Sequence, residues 1–237
     1  NSESELFKVN NGEAPKGELK KVIDFAFSVS EKSGGAFDAT VKSLSDLWDF
    51  KERTTPPEES EIQKALSSVV FEKVNLESFN LGGTELDLGA IAKGYTADKI
   101  CEYFKRQGVK KAIIDLGGNV YVLGEFTVGI RNPFEPERVF AKITLKDKSA
   151  VTSGTYQRYF EYEGKRYHHI LDTKTGYPAE SGIASVTVIS PSSMIADALS
   201  TAIFVMGEDG LSLCESYEDT DCFIIMEDGT TRATAGF

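Results

Sequence analysis

Lys111-Ala112-Ile113-Ile114-Asp115-Leu116-Gly117-Gly118-Asn119-Val120-Tyr121-Val122-Leu123 is two apolar runs separated by turn residues. Residues 111–116 read as a buried strand, Gly117-Gly118-Asn119 as a tight turn, and residues 120–123 as the returning strand. Strands joined this closely run antiparallel, because a parallel crossover needs a dozen or more residues. Further strand-like runs lie at 126–130, 139–145, 156–162, 166–171, 184–189 and 222–226, the last followed by an Asp228-Gly229 turn.

Helical spacing alternates with these runs. Leu19, Val22, Ile23, Ala26 and Val29 recur on one face over 18–33, and Gly34-Gly35 stops that helix. A second helix runs from Leu88-Gly89-Ala90 to about residue 107. A third has Pro191 in its first turn, where a missing N–H costs nothing, and ends near Met206-Gly207. Another helix follows it. Residues 1–16 read as loop, 53–60 as loop, about 62–66 as a short helix, and 69–74 and 78–88 as extended runs. Hairpins mixed with helical connections predict an α+β fold with mixed, largely antiparallel sheets packed with helices, not a regular βαβ array. No repeat or low-complexity linker divides the 237 residues, so one domain spanning 1–237 is expected.

Composition narrows the function. Hydrophobic residues make up 41% and charged residues 27%, as in ordinary globular chains. The net charge of −11 argues against a nucleic-acid partner, which would be repelled without a local basic stripe. The cluster from Lys105-Arg106 to Lys110-Lys111 is short and reads as a solvated helix end. Cys101, Cys214 and Cys222 show no metal-ligand spacing; Cys214 and Cys222 pair as a disulfide or stay as buried thiols. No apolar run reaches the roughly 18 residues of a membrane span. The chain opens at Asn1 without a methionine, as a processed form or a fragment would.

Four segments carry possible chemistry. Leu86-Asp87-Leu88-Gly89-Ala90-Ile91-Ala92-Lys93-Gly94-Tyr95 leads a strand into a helix through small residues. It is either a phosphate site, with backbone donors and the Lys93 charge, or a tight joint with a surface lysine. Asp115 with Gly117-Gly118 is either pocket wall or a turn whose Asp bonds its own backbone. His168 and His169 are the two histidines of the chain and point to opposite faces if extended, so one of them at most is an acid/base candidate beside Asp172 and the Gly176 loop. Asp197 and Thr201, four apart, share a helix face and suit either a hard cation such as Mg²⁺ or a mutual hydrogen bond. A phosphate ligand, a cation and a base together are the equipment of phosphoryl or pyrophosphate chemistry.

The same residues resemble a known family. Gly35-Ala36-Phe37-Asp38-Ala39-Thr40-Val41 with Leu47-Trp48-Asp49-Phe50 is similar to its GxFDPTV…LWxF stretch, with alanine for proline at 39. Asp87–Tyr95 resembles its DLGxIAKGY motif, Asp115–Asn119 its LGG turn, and Ser153-Gly154 with Tyr156-Gln157-Arg158-Tyr159 its SGxYxRY run. His169–Asp172, Gly176-Tyr177-Pro178 and Ala196–Ala202 complete the set in the family's order. The chain is thereby identified as a member of the Mg²⁺-dependent FAD:protein FMN transferases, ApbE-like proteins formerly called thiamine-biosynthesis lipoproteins.

The resemblance implies an ApbE-like, T-fold-like domain. It implies that FAD is the substrate, that AMP leaves, and that FMN is joined to a threonine of an acceptor protein. Some members hydrolyse FAD to FMN and AMP instead, and a non-catalytic flavin binder is a third possibility. It implies Mg²⁺ on Asp197, Thr201 and the Ala90 carbonyl, Lys93 at the pyrophosphate, and His169 rather than His168 as base. Asp115, Gly117, Gly118, Ser153 and Asp172 would shape the pocket, while Arg158 and Tyr159 would be structural. It also implies an extracytoplasmic location with a lipid anchor ahead of this chain. An earlier flavin-contacting segment with a Met-Gly-Thr motif is expected to be missing, since Ser4-Glu5-Leu6 resembles a stretch downstream of it.

Overall fold

The computed structural model describes residues 4–237. In chain order the helices are α1 (Glu5–Asn10), α2 (Gly17–Lys32), α3 (Lys42–Trp48), α4 (Glu59–Leu66), α5 (Gly89–Arg106), α6 (Ser193–Met206) and α7 (Gly210–Glu215). The strands are β1 (Ala112–Asp115), β2 (Asn119–Leu123), β3 (Glu125–Arg131), β4 (Val139–Lys146), β5 (Ser149–Gly154), β6 (Tyr159–Tyr162), β7 (Lys165–His168), β8 (Ile183–Ser190), β9 (Asp221–Met226) and β10 (Thr231–Ala233). Every pairing of these strands is antiparallel, as the opening hairpin predicts. The chain forms two compact units. One comprises the residues up to Leu88 with Arg158–Ala179; the other comprises Gly89–Gln157 with Glu180–Phe237.

The first unit is built around Trp48. Its ring lies 5.4 Å from Phe50, 5.8 Å from Tyr167 and 6.3 Å from Phe160, all stacked, and 5.9 Å from Tyr177 edge-on. Leu44, Ile62, Val69 and Leu171 close the cluster. The buried indole N–H donates to the Gly176 carbonyl at 2.8 Å, so the polar end of the largest side chain is satisfied inside the core. Thus Leu47-Trp48-Asp49-Phe50 anchors the β6–β7 hairpin and the turn after it. Asp38 is buried and accepts from the Thr40 N–H and hydroxyl, each at 2.7 Å, and from Phe71 N–H at 3.3 Å. Burial raises its pKa against these bonds.

The second unit holds a six-stranded sheet in the order β1-β2-β5-β8-β9-β10. All eight residues of β8 are buried, as its central place requires. Helices α5 and α6 pack on each other, and both pack on β2. The β3–β4 hairpin forms a separate two-stranded sheet.

Several local expectations are corrected. Residues 5–10 are helical rather than loop, because Ser4 Oγ accepts the Phe7 N–H and caps α1; residues 1–3 lie outside the described part. Residues 69–74 and 78–88 form no strand. Several of their backbone donors go to side chains, Val70 to Thr40 Oγ1, Ser78 to Asn75 Oδ1, Gly82 to Asn80 Oδ1 and Leu86 to Asn10 Oδ1, and others close turns on backbone carbonyls, such as Val74 N–H to Phe71 and Thr84 N–H to Leu81. Pro191 precedes α6 and lies outside its first turn, since Ser192 is the N-cap. β6 starts three residues late and β7 stops at His168, where the chain turns toward the Asp172 loop. Helix α3 and strands β5 and β10 were not expected. Cys101, Cys214 and Cys222 are free and buried, so Cys214 and Cys222 form no disulfide.

Candidate active site

Helix α5 begins at Gly89, so Ala90 and Lys93 lie in its opening turns. Gly94 brings α6 against it. A Cβ on Gly94 would sit 2.2 Å from the Ser193 carbonyl oxygen and 2.8 Å from Asp197 Cβ. Only a residue without a side chain permits this approach. A Gly94→Ala variant is therefore expected to destabilise the protein by about 1–3 kcal/mol, although alanine is the better helix former by about 1 kcal/mol. A thermal melt with no loss of stability would contradict the close packing.

The start of α6 is fixed by a group that the sequence reading missed. Asp98, one turn beyond Gly94, accepts from Ser193 N–H at 2.7 Å, Met194 N–H at 3.0 Å and Ser192 hydroxyl at 2.9 Å. A carboxylate at a helix N-terminus satisfies donors that have no partner within the helix. Its position four residues after Gly94 on the same face was the available signal.

Asp197 is buried at the end of this device. Its Oδ2 accepts the Gly94 N–H at 2.8 Å, and its Oδ1 lies 4.0 Å from Lys93 Nζ. Burial pushes its pKa up to about 6, against the opposing pull of the Lys93 charge, the Gly94 N–H and the Asn119 amide. Asn119 approaches the carboxylate from β2, but its Nδ2 is outside hydrogen-bonding geometry and has no partner. Its Oδ1 is held by Ser193 Oγ at 2.7 Å, which in turn accepts from Ser149 Oγ at 2.9 Å. That relay fixes the direction of the amide. Thr201 is half-buried one turn along α6.

The donor set fits Mg²⁺. In a regular helix the Gly94 N–H serves the Ala90 carbonyl. Engaged by Asp197, it serves that carbonyl at most in part, which leaves Ala90 O with acceptor capacity. One carboxylate, one hydroxyl and one carbonyl are hard oxygen donors, and Mg²⁺ commonly completes its shell with water and substrate phosphates.

The other expected residues of this unit are placed as follows. Asp115 is exposed, and its Oδ1 accepts the Gly117 N–H at 2.9 Å, the turn-forming alternative. Gly117 and Gly118 have φ of 75° and 80°, conformations that favour glycine. Ser153 Oγ pairs with Ser200 Oγ of α6 at 2.9 Å.

His169 and Asp172 belong to the first unit. His168 is buried, with Nε2 bonded to the Ala179 carbonyl at 3.1 Å and Nδ1 accepting the Ile170 N–H at 3.3 Å. Both its nitrogens are structural. His169 is half-buried and its Nδ1 meets the Arg158 carbonyl at 3.3 Å. A carbonyl only accepts, so the proton sits on Nδ1 and the basic lone pair on Nε2. Asp172 Oδ1 accepts the Lys174 N–H at 2.8 Å, and its carbonyl takes Gly176 N–H at 2.8 Å, shaping the loop. Arg158 serves His169 through its backbone, and the Tyr159 ring lies 4.1 Å from the Arg166 guanidinium.

Known proteins carry the same arrangement of sequence and fold. The FAD:protein FMN transferase of Klebsiella pneumoniae (strain 342) is 39% identical over 214 residues, covering 86% of this chain and 68% of its own length. That of Treponema pallidum (strain Nichols) is 37% identical over 246 residues, covering 92% and 68%. The crystal structure of the ApbE protein from Thermotoga maritima MSB8 superposes with a TM-score of 0.88 at 33% identity, over 99% of this chain and 82% of that one. The apo form of the Pseudomonas stutzeri flavinyl transferase ApbE gives 0.84 at 28% identity, over 100% and 80%. The ApbE family pattern matches residues 1–224. With motifs, fold and relatives in agreement along nearly its whole length, the chain belongs to the ApbE family.

Proposed function

We propose that this chain is an FAD:protein FMN transferase, that residues 1–237 act as one transferase domain, and that the acceptor is a threonine hydroxyl of another protein. The reading is supported by the relatives' activity and carried by one observation: a buried carboxylate, Asp197, faces a lysine across two helices packed through Gly94. Buried charge of this kind is costly unless a ligand uses it. Mg²⁺ held by Asp197, Thr201 and the Ala90 carbonyl would supply charge neutralisation for the pyrophosphate.

The chain's own residues do the rest. Lys93 and the opening turn of α5 bind the pyrophosphate. Asp115, Gly117, Gly118, Ser153 and Asp172 shape the walls that hold FAD. His169 Nε2 takes the proton of the acceptor hydroxyl as its oxygen bonds to the FMN phosphorus, and the bond from that phosphorus to the AMP oxygen breaks. No helix among the described residues is long and apolar enough to cross a membrane. The family resemblance supports an extracytoplasmic site of action, with any membrane attachment through a lipid anchor outside these residues.

The test is incubation with FAD, Mg²⁺ and a threonine-containing acceptor, read by mass spectrometry. Expected are AMP and an acceptor heavier by FMN less water, in equal amounts. Free FMN with AMP and an unmodified acceptor would make the chain a hydrolase; no AMP at all would make it a binder.

A further inference from the structure

We propose that Lys93 is an internal counter-ion that occupies the Asp197 oxygen a divalent cation needs, and that the phosphates of the nucleotide draw it away. The inference rests on the transferase reading above. Its basis is the division of labour between the two carboxylate oxygens. Oδ2 is committed to the Gly94 N–H at 2.8 Å. That N–H cannot shift, because Gly94 is pressed against the Ser193 backbone. On another side the carboxylate meets Asn119, whose amide oxygen is held by the Ser193 hydroxyl, itself held by that of Ser149. The remaining oxygen, Oδ1, faces Lys93 Nζ at 4.0 Å. This is a charge contact too long for a hydrogen bond.

Of the groups around the carboxylate, Lys93 is the one built to move. Its side chain is 39% exposed, whereas that of Asp197 is 5% exposed. A lysine is a point charge on a flexible stem and follows the strongest nearby anion. Without nucleotide, that anion is Asp197, and an ammonium there repels an incoming dication. With a pyrophosphate bound, the ammonium moves to the phosphates and Oδ1 opens to the cation. Cation and FAD then favour one another's binding, and by linkage the effect is reciprocal. A lysine that only gripped phosphate would leave nucleotide-free cation affinity unchanged.

The experiment titrates Mn²⁺, detected by electron paramagnetic resonance of the free ion, into nucleotide-free wild type, Lys93→Met and Lys93→Arg. Lys93→Met is expected to bind Mn²⁺ about tenfold more tightly, and Lys93→Arg within about twofold of wild type, since it keeps the charge. FAD affinity, read by flavin fluorescence, falls in Lys93→Met. If wild type binds Mn²⁺ and FAD and releases AMP, while Lys93→Met binds Mn²⁺ no more tightly at an unchanged melting temperature, the counter-ion role is overturned and the transferase reading stands. If wild type binds no Mn²⁺ with or without FAD, the metal-dependent reading falls, and this inference with it.

Discussion

Replacing Asp197 with asparagine is expected to reduce metal-dependent AMP release about a thousandfold or more while raising the melting temperature at neutral pH. The two effects have one cause. Burial raises the folded-state pKa of Asp197 from 3.8 to about 6. The folded protein therefore holds this proton more tightly than the unfolded chain does. Between these two values, stability contributed by the site falls as pH rises, and above about 6 the ionised carboxylate costs about 3 kcal/mol relative to its protonated form. Asparagine has the same shape, and its oxygen still accepts the Gly94 N–H. The charge is removed with little change in packing.

In the absence of metal, Asp197→Asn should melt about 6–12 °C above wild type at pH 7. The difference should vanish near pH 4, where the wild-type carboxyl is protonated. Saturating Mg²⁺ should stabilise wild type and leave the variant unmoved. Melts at both pH values, with and without Mg²⁺, separate these expectations. Equal melting temperatures at pH 7 together with undiminished AMP release would remove Asp197 from the site.

The histidine pair makes the second large prediction, because the two neighbours should fail in different ways. His169→Ala is expected to slow FMN transfer about 10²–10⁴-fold, the usual worth of a positioned base, with FAD affinity retained. Its Nδ1 proton is tied to the Arg158 carbonyl, which leaves the basic lone pair at Nε2. His168→Ala removes two buried hydrogen bonds, from Nε2 to Ala179 and from Ile170 N–H to Nδ1. It should lower the melting temperature, with transfer by the folded fraction much less affected. Transfer rates and melts of the two variants decide the assignment. A His169→Ala enzyme that transfers at the wild-type rate would mean that another group takes the proton.

How legible the site was depends on the range of the interactions that build it. The signals at Asp197 and Thr201, Lys93 and Gly117-Gly118 are local, and each lies on the element assigned to it; of the histidine pair, only His168 lies on its expected strand, and His169 falls just past the end of β7. Asp98 escaped notice because a helical aspartate ordinarily faces solvent; it matters only because α6 begins opposite it. Strand β5 escaped for a related reason. Ser149-Ala150-Val151-Thr152-Ser153-Gly154 is rich in hydroxyls, and its burial is intelligible only once Ser149, Thr152 and Ser153 meet Ser193, Thr187 and Ser200. Residues 69–88 erred the other way: they read as extended runs, but local turns take some of the backbone donors and the distant Thr40 and Asn10 side chains take those of Val70 and Leu86.

Motif order and the close-packed turn at Gly117-Gly118 were enough to determine the family, the antiparallel character of the main sheet and the residue types available for phosphate and metal. These follow from the sequence because backbone sterics, periodicity and motif spacing act over a few residues. Only the tertiary structure decided which oxygen of Asp197 meets Lys93, which histidine has a structural role on both nitrogens, and why position 94 must be glycine. Those outcomes depend on burial and on contacts between segments up to about a hundred residues apart, where a carboxylate's neighbours set its charge and a missing Cβ sets how near two helices come.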